Sequence, residues 1–401
     1  MKNKEIHLRN LDHYMSYAFA VYGCTMYLID NDDRCNHCLS LFGRLSPFSC
    51  CCCLPSSRHL AYTEDDNCCL GNAATLKLKV PHIEEEDIIH FSLKNSFLAT
   101  PFAVVADNKL QRIIVAIRGT LSLADVMTDM VARPVSLKAF LRENLNLSGH
   151  EESKLQEMPE QLEVHQGMAE AALYVFQEIK SKHLLDKAYV EYPDYPLVVT
   201  GHSLGAGTAV ILSFILKLKY SGVNCFAFGP PGGLLSRTAW EISGDFVTSV
   251  VVGDDIIPRL SFNGYLHLRN QMKKALLSCK LPKHKVLATG LCNCLSPLTW
   301  IQRLRQDPSV TNVDLEGEIL TDYGSTVVEM WQEMLPPGKI IHIFSNQDSV
   351  NMCFRDPKEL SEILISAKMI NDHSPSSYQK MIARAIQRFT HNNVSDLNPS
   401  V

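Results

Sequence analysis

Gly201-His202-Ser203-Leu204-Gly205 sets a serine between two glycines, and the residues on either side define what that serine can do. Residues 197–200 form a short apolar run that predicts a buried strand, and residues 208–218 predict a helix. A serine on a sharp strand-to-helix turn holds a costly backbone conformation that pushes its Oγ out at the end of a sheet. Glycines lack Cβ atoms, so Gly201 and Gly205 let strand and helix close on that turn. The N–H of Leu204 then faces the place where an oxyanion would form. Ser203 is the candidate nucleophile of an acyl transfer.

Such a serine needs a base within reach and a carboxylate that orients the base. In a strand–elbow–helix enzyme they follow in the chain order serine, acid, histidine. Residues 248–252 predict a strand that ends in Gly253-Asp254-Asp255-Ile256-Ile257-Pro258, and either aspartate fits by position. For the base, His373 lies in the polar turn Ile370-Asn371-Asp372-His373-Ser374-Pro375, which suits a half-exposed imidazole. His342 lies inside the apolar run 339–344, where a histidine more often belongs to the core; His284 and His391 are further alternatives. A second oxyanion donor is expected after an early strand. Residues 113–117 end in Arg118-Gly119-Thr120, which offers the N–H and hydroxyl of Thr120.

The elements that must position these groups alternate. Helical spacing of Leu11, Tyr14, Met15, Ala18 and Tyr22 predicts a helix over 6–29. Strand-like runs occupy 101–106, 112–117, 225–228, 247–252 and 339–344, and a helix is expected at 168–183. A helix start is predicted at Asp356-Pro357-Lys358-Glu359 and a last helix over 376–389. Strand and helix in alternation imply βα units on a mostly parallel sheet, an α/β class. Residues 134–163 are expected to be an exposed connection or small cap, and 280–335 an insertion. The expected division is an N-terminal helix with a cysteine-rich loop region, 1–75, and a catalytic domain, 76–395.

A chain of 401 residues with 46% hydrophobic composition can bury a large core. Its net charge of −5 and the lack of a long basic block argue against a nucleic-acid partner. The 14 cysteines, four of them consecutive at Cys50 to Cys53, do not read as a disulfide framework. No apolar segment directly follows the polar N-terminus, so a cytosol-facing, reduced chain is expected. The sequons at Asn146 and Asn393 are then expected to be unused. Two stretches lack charged residues. Residues 196–216 are explained by strand, elbow and helix; 13–29 read as a buried or membrane-surface helix rather than a span.

Taken in order, Arg118-Gly119-Thr120, Val164-His165-Gln166-Gly167, the Gly201–Gly205 motif, Asp255-Ile256-Ile257-Pro258 and Asp372-His373 resemble the pattern of the class 3 lipases. Within that family the chain is similar to the sn-1-specific diacylglycerol lipases, notably at 117–122, 252–260, 336–342 and 368–373. The resemblance implies an α/β-hydrolase fold and hydrolysis of an acyl ester of diacylglycerol, with phospholipase or general carboxylesterase activity, or noncatalytic lipid binding, as alternatives. It selects Asp255 over Asp254, strengthens His373, and makes 280–335 look like a regulatory insertion. The chemistry needs no cofactor, and calcium enters only through the resemblance.

A diacylglycerol substrate stays in a bilayer, so the partner expected is a lipid at a membrane surface. Cys50, Cys51, Cys52 and Cys53, between Phe48 and Leu54 and near Arg44 and Arg58, suit S-palmitoylation and peripheral attachment. A rival reading pairs Cys35-x-x-Cys38 with Cys50-x-x-Cys53 around zinc, though a run of four satisfies the second spacing trivially. No metal site is assigned.

Overall fold

A computed structural model describes residues 2–29, 62–64, 71–94, 99–120, 133–278, 333–346 and 349–395. Cys50 to Cys53, Cys35, Cys38 and His284 lie outside the described residues.

Thirteen strands occur among the described residues. The first four are β1 (Thr63–Glu64), β2 (Ile88–Ser92), β3 (Phe102–Asp107) and β4 (Arg112–Ile117). Then come β5 (Pro134–Ser136), β6 (Glu163–His165), β7 (Leu197–His202), β8 (Asn224–Phe228) and β9 (Leu235–Ser236). The last are β10 (Val247–Val252), β11 (Met334–Leu335), β12 (Lys339–Asn346) and β13 (Ser349–Arg355). Nine of them form one sheet in the order β1-β2-β3-β4-β7-β8-β10-β12-β13. The run from β4 to β12 is parallel throughout; the β2–β3, β3–β4 and β12–β13 pairs are antiparallel, and the edge strand β1 pairs parallel with β2. This is the mostly parallel central sheet of the α/β-hydrolase fold, as expected from the alternation of elements.

The strands explain why two layers of helix are needed. Alternate side chains of a strand point to opposite faces. In β4, Ile113, Val115 and Ile117 join one apolar cluster and Ile114 and Ala116 the other; in β7, Val199 and Val198 divide likewise. The helices Gln166–Ser181 and Leu204–Leu216 cover the first face. The second face is covered by α1 (Lys2–Ala20) and by the C-terminal helix Pro375–Ser395. From Gly205 to Leu216 every residue of its helix is buried, which is why that stretch reads as apolar all round rather than amphipathic.

The expected helix over 6–29 is two helices, α1 and α2 (Gly23–Ile29), with a turn at Val21 and Tyr22 between them. Leu11, Met15, Tyr17, Ala18 and Phe19 are fully buried in the second core, and the Tyr17 hydroxyl donates to Asp107 Oδ2 at 2.7 Å. The N-terminal helix is thus a wall of the hydrolase core, so the boundary expected at residue 75 does not separate two bodies. Chain contacts group residues 1–262 with 333–401, and residues 263–332 as a second compact unit that begins before the expected 280. Of that second unit the described residues are 263–278, which belong to the helix Phe262–Ser278. The 134–163 region carries more order than expected: two short helices, Leu137–Asn144 and Gly149–Glu157, with β5 and β6 of a small sheet ordered β11-β9-β6-β5. The helix start predicted at Asp356 is a single 3-10 turn, Pro357–Leu360, capped by Asp356 as its sequence suggested.

Candidate active site

Strand β7 ends at His202, and the next residue, Ser203, has φ 61° and ψ −130°, a positive-φ conformation that costs a side-chain-bearing residue. Its N–H donates to the Phe228 carbonyl at 2.9 Å, so the neighbouring strand helps hold the strained turn. The helix Leu204–Leu216 starts at once and passes tightly over the end of β4. A Cβ on Gly205 would lie 2.5 Å from the Ile117 carbonyl oxygen, a clash that only glycine avoids.

The Ser203 hydroxyl lies 2.8 Å from His373 Nε2, and His373 Nδ1 lies 2.9 Å from Asp255 Oδ2. With Nδ1–H donating to the carboxylate, Nε2 carries the lone pair that faces the serine hydroxyl. His373 sits in the 3-10 turn Asn371–His373, with 12% of its side chain exposed; the Asp255 side chain is fully buried. Three donors converge on that carboxylate. Besides His373, the Tyr378 hydroxyl donates to Oδ2 at 2.5 Å and the Ile257 N–H to Oδ1 at 2.9 Å. Burial, and then the Asp255 charge, push the Tyr378 phenol well above its ordinary value, so it remains a donor.

Asp254 takes another part. Its N–H donates to Asp372 Oδ2 at 2.8 Å, which ties the acid loop to the turn that carries His373. Burial raises the Asp372 carboxyl above the ordinary carboxylate value. His342 is not brought to Ser203. On β12 its Nε2–H donates to the Gly253 carbonyl at 2.7 Å, and its Nδ1 accepts from Arg355 Nε at 3.4 Å. Burial lowers its pKa, so it is a neutral brace of the sheet end. His391 lies in the C-terminal helix.

The two expected oxyanion residues lie at the same end of the sheet. Ile117 pairs with Gly201, so the segment Arg118-Gly119-Thr120 leaves β4 beside the elbow. Leu204 opens its helix, and the first N–H groups of a helix have no intrahelical acceptor. His165, from the Val-His-x-Gly segment, caps the helix Gln166–Ser181 through its Nδ1, which accepts from the Met168 N–H at 3.4 Å.

Sequence reasoning missed three residues around the triad. Tyr378 read only as part of an apolar helix face. His202 read as a motif residue, yet its ring lies tilted against His373 with centroids 4.6 Å apart. Tyr22 read as core, yet its hydroxyl lies 2.9 Å from His202 Nδ1. No pattern in the chain points from Tyr22 to His202, 180 residues away.

Among the described residues no group of three or more His, Cys, Asp or Glu side chains is placed to hold a metal ion. No described helix is long and apolar enough to cross a membrane.

Residues 114–265 match the family model "Lipase (class 3)". The chain carries a class 3 lipase domain. It is 30% identical over 418 aligned residues to the diacylglycerol lipase-alpha of Homo sapiens, covering 97% of this chain and 37% of that protein. It is 31% identical to the diacylglycerol lipase-beta of Mus musculus, covering 95% of this chain and 56% of that protein. The chain therefore spans between about a third and just over half of these relatives' lengths. A Rhizomucor miehei lipase in complex with its propeptide aligns over 65% of this chain and 65% of its own, at 18% identity and a TM-score of 0.39. The class 3 match spans the stretch from β4 through the acid loop, and so includes Thr120, Ser203 and Asp255; His373 lies beyond it.

Proposed function

We propose that the chain is a serine hydrolase that cleaves an acyl ester of diacylglycerol, at the sn-1 position, to a monoacylglycerol and a free fatty acid. The observation that carries this reading is the unbroken line from Ser203 Oγ through His373 to Asp255, at 2.8 Å and 2.9 Å, on a strained elbow. The likeness to two diacylglycerol lipases supports the choice of substrate.

In this reading Ser203 Oγ attacks the ester carbonyl while its proton passes to His373 Nε2. The buried Asp255 carboxylate stabilises the imidazolium that forms. The N–H groups of Leu204 and Thr120 receive the oxyanion. Collapse of the tetrahedral intermediate expels the glycerol oxygen, which takes the proton from His373. Water, deprotonated by the same imidazole, then releases the fatty acid and frees Ser203. No metal or cofactor takes part in these steps.

The substrate places the enzyme at a bilayer surface, with the cytoplasmic side proposed. The run Cys50 to Cys53 is proposed as a lipid attachment site, since two acyl chains hold a protein where one does so marginally. Replacing the four cysteines with serine should move much of the protein from membrane to soluble fractions.

The test of substrate is product analysis on vesicles of mixed diacylglycerol, triacylglycerol and phospholipid. Monoacylglycerol that retains the sn-2 acyl chain supports the proposal. Lysophospholipid as the main product supports a phospholipase. No product, from a folded chain whose Ser203 does not react with a fluorophosphonate, supports a lipid-binding protein.

A further inference from the structure

Beneath the triad lies a buried pair that the acyl-transfer steps do not use. Tyr22, in the turn between α1 and α2, is 3% exposed. Its hydroxyl lies 2.9 Å from His202 Nδ1 and 3.3 Å from the His202 carbonyl oxygen. The loop that carries Thr120 meets the same point. A Cβ built on Gly119 would lie 2.3 Å from the Tyr22 hydroxyl, 2.5 Å from the His202 carbonyl and 3.2 Å from Ser203 Cβ. One phenol oxygen therefore touches the elbow backbone, the His202 ring and the oxyanion loop.

His202 carries that contact to the base. Its ring packs against His373 and lies 5.3 Å from the Tyr378 ring, centroid to centroid. Its Nε2 is buried with no hydrogen-bond partner among the described residues, so Nδ1 is the one ring atom with a side-chain anchor, the Tyr22 hydroxyl. Burial, and then the neighbouring His373, push the His202 pKa well below the ordinary imidazole range. Burial pushes the Tyr22 phenol up, against the opposing pull of Arg118 and the Gly119 N–H. Both groups are neutral at physiological pH. His202 is thus an uncharged plate against which His373 can take up a proton without facing a second cation. Loss of its one side-chain hydrogen bond leaves the ring freer to turn about its Cβ–Cγ bond.

We propose that Tyr22 is a positioning residue: its hydroxyl holds the His202 ring and the 118–120 loop in register with Ser203, so that the N-terminal helices set part of the acyl-transfer geometry. The proposal rests on the reading of Ser203, His373 and Asp255 as an ester-cleaving triad. Its scale follows from the sensitivity of acyl transfer to displacement. Loss of one neutral hydrogen bond that aligns reacting groups corresponds to about a tenfold change in rate. The effect is expected in kcat, because Tyr22 is buried and acts through the His202 ring and the 118–120 loop.

The experiment compares the parent chain with Tyr22→Phe, His202→Asn and His202→Ala. It measures kcat and KM on a soluble short-chain ester, the rate of fluorophosphonate labelling at Ser203, and thermal melting. The expected result is a kcat and labelling rate about tenfold lower in Tyr22→Phe, with KM unchanged and a cooperative melt. His202→Asn, whose amide reaches the place of Nδ1, should keep more activity than His202→Ala. A Tyr22→Phe kcat within about twofold of the parent overturns the proposal. Should Tyr22→Phe not fold, the His202 pair decides: equal losses in Asn and Ala overturn the proposal, and better retention in Asn supports it. If the parent chain itself is not labelled at Ser203, the triad reading fails first and this proposal falls with it.

Discussion

Two adjacent aspartates follow β10, and the structure gives them opposite work, so exchanging each for asparagine separates charge from position. Asp255→Asn can retain most of its hydrogen bonds. With its amide oxygen at the place of Oδ2 it still accepts from His373 Nδ1 and from the Tyr378 hydroxyl; only the bond from the Ile257 N–H is lost. The imidazole therefore keeps its orientation, and what disappears is the negative charge beside an imidazolium that exists only after Ser203 has attacked. Two unit charges about 4 Å apart at an effective dielectric constant near 20 interact by about 4 kcal/mol. That corresponds to a fall in kcat of about 10³-fold, with little change in KM. Asp254→Asn leaves its backbone N–H on Asp372 intact and should stay within about threefold of the parent. The assay is steady-state hydrolysis of a soluble chromogenic ester, with thermal melting as the control for folding. The reasoning is refuted if folded Asp255→Asn keeps more than about a tenth of kcat, or if Asp254→Asn loses as much as Asp255→Asn.

His373→Ala should be inactive while His342→Ala keeps its chemistry and loses stability, because His342 braces Gly253 and Arg355; activity assays beside melting curves check both. Tyr378→Phe removes the 2.5 Å bond to Asp255 and should lower kcat by about three- to tenfold without a change in the labelled residue; an unchanged kcat would show that two donors suffice. Stability should fall as pH drops from 6.5. Burial holds His90 at about 4, and His202 and His342 are also pushed below the ordinary value of 6.5. Above 6.5 these imidazoles are neutral in both states. Between 6.5 and about 4 the unfolded chain takes up protons that the folded chain refuses, so stability is lost in that window. Melting temperature against pH measures it, and His90→Gln should flatten part of the slope; a melting temperature that rises on acidification contradicts the assignment.

How much of this was legible follows from what each feature depends on. The elbow was readable because its cause is local: an apolar strand, two glycines and an apolar helix within twenty consecutive residues fix the turn. The acid loop and the His373 turn were readable as turn chemistry, but position alone left Asp254 beside Asp255, since their difference lies in which one faces Tyr378 and Ile257. Strand β13 went unseen. Its sequence, Ser-Val-Asn-Met-Cys-Phe-Arg, places Val350, Met352 and Phe354 at alternate positions, but the run is short and polar beside the core strands and lies at the sheet edge with none of its residues buried. The strands of the small sheet are two or three residues long and leave no periodic trace. Helix α1 was readable as a helix but not as a wall of the core, because its charge-free stretch fits a protein interior and a membrane surface equally well. Tyr22 and Tyr378 were the least accessible: an apolar helix position hides a tyrosine hydroxyl whose partner lies more than a hundred residues away.

The central claim is that Ser203 is a nucleophile activated by His373 and Asp255. Reaction of the folded chain with a fluorophosphonate, followed by peptide mapping of the adduct, tests it most directly. The account predicts one adduct, on Ser203, absent in Ser203→Ala and slowed by orders of magnitude in His373→Ala. A folded chain that gives no adduct on Ser203, or whose adduct rate is unaffected by loss of His373, would contradict it.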